Sequence, residues 1–541
     1  MTLRYSRRQA MQATLATAAV ASIPASRIAA AAQQATPAMV DGAPISADQV
    51  KTALSKLDGL IEDAMKRTGV PGAAVAVVYD DAVVYERGFG VREVGKADAV
   101  TPETVFQLAP MSKSISSTLV AAIVGDGATT WDAMAADLLP GFAMSDPWLT
   151  SQVTLRDLFS HRSGLPGYAG DGLTSTFGYG RDESVRRLRH VLPATPLRTS
   201  FAYANLPLSV AAYAAAQKTG KTWEDLADER LFAPLGMDTS SYRLADYVGR
   251  TNKAVPHYRT QDGVWALGEV TDADASAPAG GVSTNVRDLT QWMRLQLGDG
   301  LFEGVEVVAS APLLETRRPQ ILAGSPPNPA DGPASFYGLG WYLQYDERGR
   351  LRLNHIGDFN SGFRTGVSLL PAAGLGIVVL SNAWPNALSD GIPKAFFEIV
   401  DSGEQTEDWI GFFEDQTAAG LAAVSAAAPF PRGDAPTGGP ALSLDAYTGI
   451  YTNELLGDLT VKEEDGGLVL ELGPLPTRLP LQHWDRDVFT YPLPPSGEVL
   501  LGKLGVEFLI GPSRTTTTVA LGLPTVGPDS TALFTRKESS G

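Results

Sequence analysis

Between Ala47 and Arg67 the apolar residues Val50, Leu54, Leu57, Ile61 and Met65 recur at intervals of three and four. That spacing lines them up on one face and predicts an amphipathic helix, stopped by Gly69-Val70-Pro71-Gly72. The pattern then changes to a β-branched run, Ala73 to Tyr79, and after Asp80-Asp81 to a second run, Ala82 to Gly88. Two such runs around a turn predict a hairpin of two central strands. After the entry turn Thr101-Pro102-Glu103-Thr104, Ile115 to Ile123 reads as a helix. A short helix from Thr154 breaks at Gly164 and Pro166, and a glycine-rich loop, Gly167 to Gly180, follows; loops of this kind often line clefts. Further helices are expected over Leu208 to Ala216 and Val286 to Leu297, the second with Ser283 or Thr284 as its cap. A strand is expected to start in Tyr337-Gly338-Leu339-Gly340-Trp341, and two more over Gly366 to Leu370 and Gly374 to Ser381.

From 418 to 440 alanine, proline and glycine dominate, which predicts a linker. Beyond it come short strand-like runs: Tyr447 to Tyr451, Leu459 to Lys462, Gly467 to Leu472, Asp487 to Tyr491, Glu498 to Ile510 and Thr515 to Leu521. Their regular turns predict a small antiparallel barrel or sandwich. The chain therefore divides into a leader (1–35), a main domain (45–400), a helix and linker (401–440) and a barrel-like domain (441–541).

Composition narrows the possible chemistry. The 541 residues are 44% hydrophobic and 19% charged, as in ordinary globular proteins, with a net charge of −17. That charge argues against nucleic acid or an anionic membrane surface as the main partner. With no cysteine, disulfides, thiolate metal sites and a cysteine nucleophile are excluded. The five histidines have no metal-ligand spacing, so neither a metal nor another cofactor is expected. At the N-terminus, Ser6-Arg7-Arg8-Gln9-Ala10-Met11 precedes the apolar run Ala13 to Ile23 and the small residues Ala29 to Ala32. This order of regions predicts a twin-arginine export signal and a periplasmic protein with no stable membrane anchor after cleavage.

The candidate chemistry centres on Phe106-Gln107-Leu108-Ala109-Pro110-Met111-Ser112-Lys113-Ser114. It has the form of an S-x-x-K entrance to a helix, with proline in the serine's place. Residues three apart share a helix face, so Lys113 would point toward whatever leaves position 110. His161-Arg162-Ser163-Gly164-Leu165-Pro166, Tyr203-Ala204-Asn205, Pro278-Ala279-Gly280-Gly281 and His355-Ile356-Gly357 follow in that order. Singly, each has a plain structural reading: Lys113 a solvated lysine, Tyr203 a satisfied core phenol, His355 a turn residue.

As an ordered set these pieces resemble the serine β-lactamase and penicillin-binding-protein superfamily, in the branch of class C β-lactamases, D-aminopeptidases and related esterases. The resemblance covers roughly residues 45 to 400. It implies an α+β fold, an antiparallel sheet flanked by helices plus an all-helical lobe, and the C-terminal piece looks like the small β-barrel some members append. It also implies a serine hydrolase working through an acyl-enzyme on amide, peptide or ester bonds, with a small peptide, amide or ester as its partner. Pro110 would hold the nucleophile position and Lys113 would be the base. Tyr203 would be a second basic group, kept partly as phenolate by nearby positive charge, and Asn205 would bind the substrate's amide. His355, followed by Gly357, would take the place of the lysine of a K-T-G motif, on a strand edge beside the acyl group. Ser163, beside the cleft, would position substrate or serve a turn.

Pro110 lacks a hydroxyl and a backbone N–H, and in the resembling enzymes the nucleophile's own N–H is an oxyanion donor. Ser112 lies about 200° round the helix from position 110, and Ser114 about 6 Å deeper along it, so neither is a ready replacement. Two readings follow: a hydrolase, peptidase more than β-lactamase or carboxylesterase, in which proline stands for serine; or a catalytically dead relative that binds peptides or cell-wall fragments.

Overall fold

The computed structural model describes residues 45–324, 334–346, 348–427, 438–474, 477–523 and 531–537; the expected leader and the 428–437 part of the linker lie outside them. Helix α1 (Ala47–Thr68) opens with a capping box between Ser46 and Gln49 and ends on Gly69. Strands β1 (Gly72–Tyr79) and β2 (Ala82–Gly90) follow. Asp80 and Asp81 both take positive φ, 50° and 59°, the backbone a tight two-residue hairpin needs. Helix α2 (Ser112–Gly125) is buried on every side from Ser112 to Ile123, which is why its sequence carries little amphipathic pattern. The helical lobe continues with α3 (Leu155–Phe159), α4 (Asp171–Ser175), α5 (Arg181–Arg187), α6 (Asn205–Gln217), α7 (Ala277–Gly280) and α8 (Val286–Leu297).

The chain then returns to the sheet through β3 (Ile321–Gly324), β4 (Ser335–Tyr337), β5 (Tyr342–Tyr345), β6 (Leu351–Phe359), β7 (Phe363–Leu370) and β8 (Leu375–Ser381), and on to α9 (Leu388–Ser402) and α10 (Trp409–Ala427). The eight strands run β2-β1-β8-β7-β6-β5-β4-β3, antiparallel throughout. Ala73, Val75 and Val77 of β1 face one apolar cluster with α1 and α9, while Ala74, Ala76 and Val78 face the other, with α2 and the helical lobe. Burial on both faces explains the continuous apolar runs.

Beyond α10 a closed barrel is built from β9 (Gly449–Asn453), β10 (Gly457–Glu464), β11 (Gly467–Leu472), β12 (Thr477–Asp485), β13 (Val488–Tyr491), β14 (Leu504–Ile510), β15 (Thr516–Gly522) and β16 (Thr531–Arg536). Pairing of β9 with β16 closes it.

Five expectations need correction. The first hairpin is not central on both strands, because β2 is the edge of the sheet. The cap of α8 is Asn285, whose side chain accepts the Asp288 N–H, while Ser283 and Thr284 pair with Gln107 and Phe106. Tyr337 ends β4, and the next strand begins at Tyr342, after a bend through Gly340 at φ 81°. The linker expected from 418 is helical to Ala427, since alanine favours helix over linker. The run from Glu498 to Ile510 divides into a helix (Pro495–Leu501) and β14.

Candidate active site

The seat of the site is the turn before α2. Phe106 and Gln107 pair with Thr284 and Ser283, Leu108 N–H donates to Val282 O (2.8 Å), and Thr365 Oγ1 donates to Leu108 O (2.6 Å). Ala109, buried, is then forced to φ 53°, a conformation an L-residue adopts at a cost. Ala109–Met111 form one 3₁₀ turn whose Ala109 and Pro110 carbonyls accept the Ser112 N–H. Pro110 fits there because first-turn amides have no helical partner.

The turn is wedged against the sheet. Strand β5 pairs with β6 only as far as Asn354, so from His355 onward that edge of β6 is free to face residues 109–111. The approach is close at Gly357: a Cβ there would run into Leu108 O and lie 2.9 Å from Met111 N. Gly357→Ala is therefore expected to cost about 1–3 kcal/mol through overpacking, seen as a lower urea midpoint at unchanged m-value; an unchanged midpoint would show that the turn yields freely.

Lys113 is fully buried. Its Nζ donates to Asn205 Oδ1 (2.6 Å) and to the Ala279 carbonyl of α7 (2.9 Å), and it lies 4.7 Å from the centre of the Tyr203 ring. Burial brings its pKa down to about 7, against the pull of Asp171, which raises it. That lets a lysine exchange a proton near neutrality. The two serines beside it are committed elsewhere: Ser112 Oγ accepts Val282 N–H (3.1 Å) and Ser114 Oγ donates to Gly340 O (2.8 Å).

Asp171, not signalled by any spacing in the sequence, completes the chain. Its carboxylate accepts the N–H groups of Asn205 (3.1 Å) and Leu206 (3.0 Å) at the start of α6, and Asn205 Nδ2 (2.5 Å). An acid belongs at a helix N-terminus. It turns the Asn205 amide so that the oxygen is left for Lys113. Asn205 thus bridges Asp171 and Lys113, a contact the expected role in amide binding did not include.

The aromatic side of the site differs from expectation at Tyr203. Burial pushes its phenol well above the usual value, and Tyr337, Tyr342, Tyr168 and Asp171 add to the push. It is a neutral hydroxyl, not a partial phenolate, because Lys113 meets the ring face. His355 is buried and also neutral, its pKa brought down to about 3 by burial and by Lys113. Its Nδ1–H donates to Ile356 O (2.8 Å), leaving Nε2 to accept Tyr337 Oη–H (3.0 Å). His161, from the His161–Pro166 run, stands 4.6 Å from Tyr203 and 4.8 Å from Tyr337 between ring centres. Its Nδ1 accepts Ala204 N–H (3.3 Å), and Nε2 has no hydrogen-bond partner among the described residues. Ser163 serves the turn, its Oγ accepting Leu165 N–H (3.4 Å). The structure therefore gathers Pro110, Lys113, Tyr203, Asn205, His355 and Gly357 around one seat, adds Asp171, His161 and Tyr337, and leaves Ser163 to the backbone. Among the described residues no cluster of three His, Asp or Glu side chains is placed to hold a metal ion, and no helix is long and apolar enough to cross a membrane.

Comparison with known proteins agrees with this geometry. Residues 57–395 match the Beta-lactamase family, and residues 434–530 match a domain of unknown function, DUF3471. An unguisins hydrolase of Aspergillus campestris is 25% identical over 85% of this chain and 88% of its own. Penicillin-binding protein 4 of Amycolatopsis lactamdurans is 31% identical over 61% of this chain and 83% of its own. The octameric penicillin-binding protein homologue of Pyrococcus abyssi shares the fold, with a TM-score of 0.56 at 19% identity over 89% of this chain and 99% of that one. With its sheet, helical lobe and Lys113 centre, the chain belongs to the beta-lactamase family of serine hydrolases.

Proposed function

We propose that this scaffold is that of an exported, periplasmic hydrolase of amide, peptide or ester bonds acting on small or linearised peptides through an acyl-enzyme, and that Pro110 removes the acylation step. The observation that supports it most is the Lys113–Asn205–Asp171 chain, running from a fully buried Lys113 through half-buried Asn205 and Asp171, beside a seat that lacks a nucleophile and its N–H. A hydrolase with a serine at position 110 would pass its Oγ proton to neutral Lys113 as the Oγ–carbonyl bond forms, and the leaving amine or alcohol would take that proton as the acyl bond breaks. Water would then repeat the exchange and release the acid. The peptide substrate class is supported by the A. campestris relative, which is named a hydrolase of unguisins. Export rests on the Arg7-Arg8 leader pattern. Pro110 itself supports a second reading, a protein that binds peptides or cell-wall fragments without turning them over. The experiment is to restore the hydroxyl: Pro110→Ser hydrolyses a p-nitrophenyl ester under the first reading, and under the second stays inert while peptides still bind.

The pH response has a definite sign. Acylation needs Lys113 unprotonated, so labelling of Pro110→Ser by a fluorophosphonate rises with pH through a midpoint about 7, set by burial. Asp171 holds that midpoint up, so adding Asp171→Asn moves it to lower pH. A midpoint near that of an exposed lysine, about 10.4, would remove Lys113 from the role of base.

A further inference from the structure

The segment from Tyr168 to Tyr179 touches the site at one end and the C-terminal barrel at the other. At its start, Tyr168 N–H donates to Tyr203 O (2.6 Å), and Asp171 takes the three donors of Asn205 and Leu206 described above. At its end, Phe177 and Tyr179 are buried in the same apolar cluster as Leu456 and Leu472 of the barrel. Tyr179 Oη donates to Leu456 O (3.0 Å). Arg187 Nη1 donates to Leu455 O (2.8 Å), and its guanidinium lies 4.3 Å over the Tyr179 ring. The barrel meets this segment at two turns closed by glycines in the left-handed region, Gly457 (φ 82°) and Gly473 (φ 72°). A Cβ on Gly457 would collide with Tyr179 Oη, and one on Gly473 with the Phe177 carbonyl oxygen.

Within the main domain the segment is held by Ala169 and Leu173, buried in the core, and by short-range backbone hydrogen bonds, none of which fixes the Asp171 side chain. It carries glycines at 170, 172 and 178 and is flanked by Gly167 and Gly180, and its one helix, α4, has five residues, far below the length at which a helix persists alone. Tyr168 sits at φ 60°, a strained value that surrounding contacts must impose. Asp171 makes no hydrogen bond to Lys113; it reaches it through Asn205 and by the pull of its charge. We infer that Asp171 is a positioning residue that fixes Asn205 against Lys113, and that the barrel turns at Gly457 and Gly473 are the strut that holds Asp171 in place. This gives the domain matched over 434–530 a structural task in the site of its neighbour.

Backbone hydrogen exchange reads this without any turnover. Asn205 and Leu206 amides are protected by the Asp171 carboxylate, so Asp171→Ala speeds their exchange by about tenfold, the loss of one modest hydrogen bond each. Tyr179→Ala, which cuts the tether without straining the barrel, and Gly473→Val, which pushes on it from the other turn, are expected to speed the same two amides by a similar factor while β8 amides keep their protection. In the Pro110→Ser background Tyr179→Ala also shifts the labelling midpoint to lower pH, as Asp171→Asn does; the groups facing Lys113 besides Asp171 are Tyr203, His161 and His355, of which the segment meets only Tyr203, through Tyr168, while the Tyr179 contacts with the barrel reach none of them. Faster exchange at 177–180 with Asn205 and Leu206 unchanged would overturn the inference. Because the exchange arm does not depend on position 110 reacting, its failure and the failure of the hydrolase reading are distinguishable.

Discussion

Pro110→Ser turns a protein that leaves a p-nitrophenyl ester at its buffer rate into one that hydrolyses it at least about 10³-fold faster, since a nucleophile and an oxyanion N–H return together and one such donor alone carries about 10²–10³. The fold should accept the change. Pro110 makes no hydrogen bond through its missing N–H, it occupies the first turn before α2, and its half-buried side chain borders the site and not the core. The strained residue of the turn is Ala109, held at positive φ by the Leu108 contacts to Val282 and Thr365, and these do not involve position 110. The variant's melting temperature should stay within a few degrees of the parent's. A rate unchanged at equal stability would mean that the surroundings of Pro110 are kept for binding alone.

Lys113→Met in that background is the second large effect, a loss of about 10²–10⁴ in esterase rate, the range of a positioned general base. Methionine keeps the length and apolar stem, so α2 stays filled. What is lost is the donor to Asn205 Oδ1 and Ala279 O, for a cost of about 1–3 kcal/mol from acceptors left unpaired, offset in part because a buried charge disappears. Rate and stability therefore separate: the rate collapses and the urea midpoint moves modestly. Parallel losses in both would assign Lys113 to the fold.

Much of the architecture was legible in the chain. The stripe Val50–Leu57–Ile61 marked α1, and the β-branched runs marked β1 and β8. Which strand lies at the edge is settled when the chain returns near residue 375 to pair β8 with β1; the one local sign was Glu86-Arg87 in β2, where β1 is apolar throughout. In the barrel β12 and β16 went unmarked: Thr477–Asp485 carries Pro480 and mixed polarity, and Thr531–Arg536 is short. At the site, order and spacing picked out Lys113, Tyr203, Asn205 and His355. Asp171 was hidden because its partners are backbone and amide groups of a helix start 34 residues on, a relation that leaves no periodic trace. Tyr203 shows the converse limit: its neighbours in sequence say nothing of Tyr337 and Tyr342, the phenols that help keep it protonated.

The site is complete but for the hydroxyl and the backbone N–H that Pro110 removes. Intact mass after treatment with a fluorophosphonate, on the parent chain and on Pro110→Ser, tests it most directly. No adduct is expected on the parent and a single adduct on the variant, mapped to position 110 and lost on adding Lys113→Met. An adduct on the parent at any other serine, or none on a folded Pro110→Ser protein, would contradict it.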